Sequence, residues 1–458
     1  MEILSTIFYF LIVIGVLVFV HEFGHFFAAR ATGMRAEVFA FGMGYRLFGW
    51  NRLDGFTFGK LKKETEESLG NHTDYRICAF PIGGYVKIPG MIDESMDKEF
   101  INKPPQPWEY RAKPVWKRMI VITAGVIMNI FLAFLIFYSL SIFKGKSLID
   151  TTTIGYVAKG STAAEFGIQK YDKILSINNQ PISYWDDVQS ALYIDNLGES
   201  ISIDLLRNSQ NITVKIPKEK VGILSDKAFG LYPEKMYPVL NGTVSGKPAE
   251  FAGLTKGDRI SYVSGQKIDN TQELIDNIKL NANKDVEIKW MRNETEMSSL
   301  ISVGADSTIG IDIATKYEGT VKEVKYNVIT AIPRAFSDMY YFGIEVFFKS
   351  IGKVIIGDIP FKKAIGGPIK IAQASAQSAE SGFAAFIGFV ALLSMSLAVI
   401  NILPFPALDG GHFVILVWEA VFRRPVPHKV QIALQNVGFI LLIALMLFVI
   451  YNDIISIK

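Results

Sequence analysis

Residues 3–25 read ILSTIFYFLIVIGVLVFVHEFGH. The uncharged apolar run 3–20 is long enough for a bilayer core, which roughly 17–25 residues cross as a helix. It closes on His21, Glu22 and His25. On a helix, imidazoles at i and i+4 share one face and can grip one zinc ion, while the glutamate between them is placed to take a proton from an attacking water. Charged groups at this depth cost about 2.5–3.5 kcal/mol each, so this trio reads as chemistry and not as packing.

The rest of the chain extends the membrane reading. Half of its 458 residues are hydrophobic and its mean hydropathy is positive, which predicts membrane spans beside water-soluble domains. A net charge of +3 implies no nucleic-acid partner. Cys78 is the one cysteine, so no intrachain disulfide forms. The start, Met1-Glu2, has no basic region, and cleavage at Ala29-Arg30-Ala31 would discard the metal motif, so the first segment is expected to be a retained span. Further spans are expected at 119–143, 383–408 and 430–451. Asn129 and Asn401 are their polar exceptions, and Pro404 and Pro406 bar a regular helix at the end of the third. Basic residues crowd two connections, for example Arg30, Arg35, Lys117 and Arg118 between spans one and two and Arg423, Arg424 and Lys429 between spans three and four. Both loops are therefore expected to be cytoplasmic, with both termini and the long middle segment outside.

The first connection is not a plain linker. Glycine-punctuated apolar runs at 37–45, 56–60 and 75–88, the last interrupted by Pro81-Ile82-Gly83-Gly84, predict β-hairpins. Trp50, Phe56, Phe58 and Phe80 suit either a membrane interface or an ordinary small cytoplasmic sheet. The outer segment contains an internal repeat: KGSTAAEFGIQKYDKILSINNQPI at 159–182 and SGKPAEFAGLTKGDRISYVSGQKI at 245–268. Both copies resemble PDZ domains, which capture extended peptides by strand addition, and Phe229-Gly230-Leu231 and Ile309-Gly310-Ile311 resemble the PDZ carboxylate-binding loop. Residues 338–356 carry a charged stripe of Glu345, Lys349 and Lys353, expected to lie as an amphipathic helix on the outer leaflet.

A catalytic zinc needs a third protein ligand. The third span ends Asn401-Ile-Leu-Pro404-Phe-Pro406-Ala-Leu-Asp409-Gly410-Gly411-His412. Spans one and three run in the same direction, so Asp409 and the two histidines reach the same depth. Asp409 is the first candidate, His412 the second.

These features together resemble the site-2 protease family: His21-Glu-x-x-His25 in the first span, Asn401-x-x-Pro404-x-Pro406-x-Leu408-Asp409-Gly410 in the third, and a PDZ pair between spans two and three. Phe41-Gly42-Met43-Gly44 and Ile82-Gly83-Gly84-Tyr85 fall where that family carries a membrane-reentrant β element. The resemblance implies a zinc metalloendopeptidase of the bacterial inner membrane, with its active site near the cytoplasmic side. His21, His25 and Asp409 would hold one zinc, and Glu22 would be the base. Asn401, Gly83, Gly84, Tyr85, Pro404 and Pro406 would contact substrate. The implied substrates are single-span membrane proteins of the anti-sigma factor class in envelope stress signalling, already trimmed on the periplasmic side by an upstream protease, and also remnant signal peptides. The PDZ pair would bind peptides or exclude long outer domains. The rival reading is a membrane-anchored PDZ scaffold whose structural metal is closed by His412 as a fourth ligand. The absence of Cys ligands leans toward catalysis.

The expected fold is thus a polytopic α-helical membrane protein with four transmembrane helices, a small membrane-associated β element and two inserted α+β PDZ domains. The expected segments are 1–30, 31–118, 119–145, 146–235, 236–318, 319–381, 382–412, 413–429 and 430–458.

Overall fold

The computed structural model describes residues 2–91, 104–196, 199–221, 229–356 and 366–457. Parts of the expected segments 31–118, 146–235 and 319–381 therefore lie outside the described residues. The chain forms two compact units, one of residues 1–145, 325–352 and 361–458, the other of 146–324 and 353–360.

The first unit begins with helix α1 (Glu2–Ala31), which runs through the histidine motif without a break. It stops where Gly33 turns left-handed (φ +78) and the Met34 amide reaches back to the Ala29 carbonyl at 2.8 Å. Next come β1 (Val38–Asn51), β2 (Gly55–Phe58), the short α2 (Lys63–Ser68) and β3 (Asp74–Lys87), with sheet order β2-β1-β3. Both long strands double back. Phe39 pairs with Tyr75 and with Val86, and Phe41 with Ile77 and with Gly84. β3 continues through Pro81-Ile82-Gly83-Gly84, where the sequence predicted a break between two strands; left-handed Gly42, Gly44 and Gly83 let the strands bend while keeping partners. A buried Arg46 binds Asp74 through two bonds of 3.1 and 3.0 Å and donates to the Thr57 and Gly59 carbonyls, so one guanidinium ties all three strands. Helix α3 (Val115–Phe143) follows Pro114 and starts four residues before the expected span. Arg118 in its first turn is satisfied by Glu419, at 3.0 and 2.6 Å, and so needs no loop.

The second unit opens with β4 (Lys146–Ile149) and then presents the same element order twice. The first copy is β5 (Ile154–Val157), α4 (Thr162–Glu165), β6 (Lys173–Ile177), β7 (Gln180–Pro181), α5 (Trp185–Ser190), β8 (Ile201–Arg207), β9 (Gln210–Ile216) and β10 (Leu231–Pro233). The second is β11 (Met236–Thr243), α6 (Pro248–Phe251), β12 (Arg259–Val263), β13 (Gln266–Lys267), α7 (Thr271–Leu280), β14 (Asp285–Arg292), β15 (Thr295–Ser302) and β16 (Ile311–Tyr317). Finally β17 (Val321–Val324) pairs antiparallel with β4. Each copy has its own core, around Trp185 and Ile203 in the first and around Trp290 and Ile288 in the second.

The Gly-then-Asp signature of the repeat has a physical cause. Asp172 and Asp258 are buried, and each receives a two-pronged guanidinium, from Arg207 at 2.6 and 2.6 Å and from Arg292 at 2.7 and 2.7 Å. The same guanidinium nitrogen also donates to the glycine carbonyl, Gly167 in the first copy and Gly253 in the second. Burial opposes ionisation of Asp258, but Arg292 and the Thr255 amide outweigh it and hold the carboxyl below its ordinary range.

Back in the first unit, α8 (Ala331–Asp338), a π-turned stretch over Met339–Glu345 and α9 (Val346–Ile355) replace the expected helix 338–356. The helical path begins earlier, and its first half is packed inside. Ala335 and Met339 pack with Ala133, Phe137, Ala391 and Met395, since Ala331, Ala335 and Gly343 present a small-residue face. Within the charged stripe, Glu345 and Lys349 lie 2.9 Å apart. Helix α10 (Pro368–Glu380) is capped by Asp453, which accepts the amides of Gly367, Ile369 and Lys370 at 3.0–3.2 Å. Then come α11 (Phe383–Ile402), α12 (Asp409–Phe422) and α13 (His428–Ile457). The third span was expected to reach residue 408, with a loop over 413–429. It ends at Ile402, because Pro404 forces Leu403 to extend, and a new helix fills most of the expected loop. Among the described residues, four helices are long and apolar enough to cross a membrane: Ile3–Ala31, Val115–Phe143, Phe383–Ile402 and His428–Ile455.

The repeat staple gives a direct test. Asp258→Asn should cost about 2 kcal/mol, the worth of charged hydrogen bonds, read as earlier proteolysis of the second unit on heating. Because the Asp258 carboxyl titrates below its unfolded value, the wild-type advantage should be full above the ordinary carboxylate range and fade as pH falls through the folded value.

Candidate active site

Helix α1 places His21 and His25 one turn apart with Glu22 next to His21, and the first turn of α12 places Asp409 opposite the histidines. Asp409 Oδ2 lies 3.3 Å from His21 Nε2 and 3.4 Å from His25 Nε2, and the two nitrogens are 3.2 Å apart. Tetrahedral zinc with bonds of about 2.0–2.1 Å has ligand atoms about 3.3 Å from each other, so the three donors have the spacing of one face of its coordination shell. Asp409 Oδ2 is buried and hydrogen-bonds neither ring, as expected of donors aimed at a common point. Among the described residues only these three form such a cluster. His412 is not in it. That side chain lines a separate cavity of 390 Å³ with Arg118, Glu419 and His428.

The loop before Asp409 is held by close contacts. A side chain at Gly410 would start 2.2 Å from the Leu403 carbonyl oxygen, and one at Gly411 2.3 Å from that of Phe405. The two glycines therefore let the Pro404–Pro406 loop fold back on the start of α12. Pro406 also touches α13, where a side chain at Gly438 would start 2.1 Å from its carbonyl oxygen. Asn401 sits in the last turn of α11, half-buried, and among the described residues its side chain has no hydrogen-bond partner.

The sheet reaches the same place. Gly84 is buried, and a side chain there would start 2.8 Å from the Ala40 carbonyl oxygen and 3.3 Å from Glu22 Cγ. Val86, two residues on, is buried as well. Tyr85, between them, pairs with Ala40 of β1, and Gly83 packs on Met43. Glu22 is 8% exposed, so its carboxylate is withdrawn from bulk water.

Sequence reasoning missed the contribution of α3. Val121 offers its carbonyl to His25 Nδ1 at 2.8 Å, and Asn129 lies 3.2 Å from His21 Nδ1. Between them, a side chain at Gly125 would start 2.4 Å from His25 Nε2. The available signal was Asn129 itself, a lone amide in an apolar span, with glycine one turn before it.

In the second unit Phe229-Gly230-Leu231 and Ile309-Gly310-Ile311 have matching geometry. Gly230 and Gly310 are left-handed (φ +81 and +78), and their carbonyls accept the Ala158 and Val244 amides, each at 2.9 Å. Beside the first loop, a cavity of 300 Å³ is lined by Trp185, Leu192 and Leu231 of the first copy and by Asn270, Thr271 and Thr315 of the second. There Thr315 of β16 hydrogen-bonds Thr271 of α7 at 2.8 Å.

Comparison with known proteins gives the chemistry a context. The pattern of Peptidase family M50 matches residues 9–445. The chain is 30% identical to "Protease RseP" of Yersinia pestis, over 99% of each chain. It is 29% identical to a "Putative zinc metalloprotease" of Vibrio cholerae, again over 99% of each. Against the "Regulator of sigma-E protease RseP" of Escherichia coli K12 the identity is 30% over 97% of each.

Zinc content tests the ligand set. Asp409→Ala and Gly125→Ala should each lower bound zinc well below one per chain, the second by pushing the rings apart. His412→Ala should leave it unchanged. Zinc retained in Asp409→Ala would remove that residue from the site.

Proposed function

The chain belongs to Peptidase family M50 and is a zinc metalloprotease, and from that premise we propose that it hydrolyses peptide bonds within or near the membrane spans of other proteins. The observation that carries this reading is the zinc-sized donor triangle with Glu22 in the same apolar helix as both histidines. The family match and the three-donor cluster leave the scaffold reading without support.

Zinc bound by His21, His25 and Asp409 would polarise the scissile carbonyl and acidify water. Glu22 takes the proton of the attacking water and returns it to the leaving amine. Its burial holds the carboxylate away from bulk water for that transfer. Asn401 donates its amide to the substrate carbonyl as charge develops there. Pro404 and Pro406 line the approach.

A helical substrate hides its carbonyls in its own hydrogen bonds and must be unwound before it is cut. The arm of β3 from Gly84 to Lys87 offers an edge beside Glu22, so the unwound segment adds there as a strand. The relatives named as sigma-E regulators suggest substrates of the anti-sigma factor class, already shortened outside the cell membrane by another protease. Remnant signal peptides have the same form. The basic loops orient the active site toward the cytoplasm, with the PDZ-like repeats and both termini in the periplasm. There the repeats exclude substrates with long outer domains.

Three variants test this with purified protein and a single-span substrate. Glu22→Gln should lose about 10²–10⁴-fold in cleavage while keeping zinc. Val86→Pro should lose on the order of 10²-fold through misplacement, also with zinc kept; cleavage at the wild-type rate would sink strand addition.

Removal of residues 154–315 should allow cutting of substrates whose outer domain is intact. Loss of all cleavage by a folded deletion protein would instead mean that the repeats recruit substrate.

A further inference from the structure

Asn129 is 0% exposed in the middle of α3, and it is the neighbour of His21 Nδ1, at 3.2 Å through the amide nitrogen. Its Oδ1 has no hydrogen-bond partner. The backbone around it is fixed, since the Asn129 carbonyl accepts the Ser394 hydroxyl of α11 at 2.8 Å.

The chemistry of an imidazole decides which end of this amide must face the ring. His21 Nε2 is a corner of the donor triangle. A neutral ring that gives its Nε2 lone pair to a cation carries its proton on Nδ1, which is then a donor. A donor requires an oxygen opposite it. Amide oxygen and nitrogen are interchanged by half a turn of the side chain. That turn loses no hydrogen bond, because Oδ1 bonds nothing where it now lies.

His25 shows the same arrangement already complete, its Nδ1 facing the Val121 carbonyl oxygen at 2.8 Å. Val121, Gly125 and Asn129 are spaced by four residues and lie on one face of α3. The first orients His25, the second leaves room for both rings, and the third meets His21.

We propose that Asn129 is a positioning residue for the metal site: its carboxamide oxygen accepts the Nδ1 proton of His21, fixing the tautomer and ring plane in which Nε2 faces the ion. The proposal rests on His21 being a zinc ligand, and the test separates the two.

The measurement is zinc affinity of the full-length protein in detergent, by competition with a chromophoric chelator, for wild type, Asn129→Leu, Asn129→Asp and His21→Ala. Leucine keeps the volume and removes the acceptor, so zinc binding should weaken about 10–100-fold, the usual effect of losing such a partner. Aspartate keeps an acceptor in place and should bind zinc at least as tightly as wild type. Leucine binding like wild type, or aspartate binding tenfold more weakly than wild type, would overturn the proposal. If the leucine variant is not recovered folded, the aspartate comparison decides alone. Undiminished affinity in His21→Ala would remove His21 from the ligands and the proposal with it.

Discussion

The site depends on how closely α1 and α3 approach. A side chain at Gly24 would start 2.4 Å from the Ala124 carbonyl oxygen, and one at Gly125 would occupy the position of the His25 ring. Two glycines thus remove the steric spacer on both helices. Packing at this distance is how helices associate where lipid already satisfies their apolar surface. The same approach presses both imidazoles against α3, where Val121 and Asn129 meet their Nδ1 atoms and Gly125 leaves room for the rings. Asp409 completes the triangle from the start of α12.

Much of this was legible in the sequence because the relevant signals are local or forced by topology. His21 and His25 lie one turn apart on a helix that the apolar run makes inevitable. Asp409 was reachable by counting spans. What could not be read was what depends on contact between distant segments. Nothing near Gly125 in the chain says that a histidine ring will lie against it. The helix Asp409–Phe422 was missed because its apolar residues follow two glycines, which alone suggest a loop. Those glycines serve the Pro404–Pro406 loop and leave the helix intact. β3 was split at Pro81–Gly84 for a similar reason, since its partner strand bends with it and preserves the pairing.

The repeat shows the opposite case, where a short signature reflects a long-range contact. Gly167 and Asp172 recur as Gly253 and Asp258 because each pair is read by an arginine on a distant strand, Arg207 or Arg292. A buried carboxylate survives only with such a partner, so residue identities at both ends are tied together. The loops at Gly230 and Gly310 are constrained in the same way by left-handed backbone and by the amides they receive.

The pairing of β4 with β17 has a consequence for how this architecture can vary. The chain enters and leaves the pair of repeats through neighbouring strands of one ribbon, about 4.7–4.9 Å apart. The ends of everything between them are therefore held together whatever that insert contains. Doubling the length of such a loop adds only about 0.6 kcal/mol of closure entropy. The ribbon is a grafting point: modules can be gained, lost or exchanged at it, with folding of the insert itself as the main requirement.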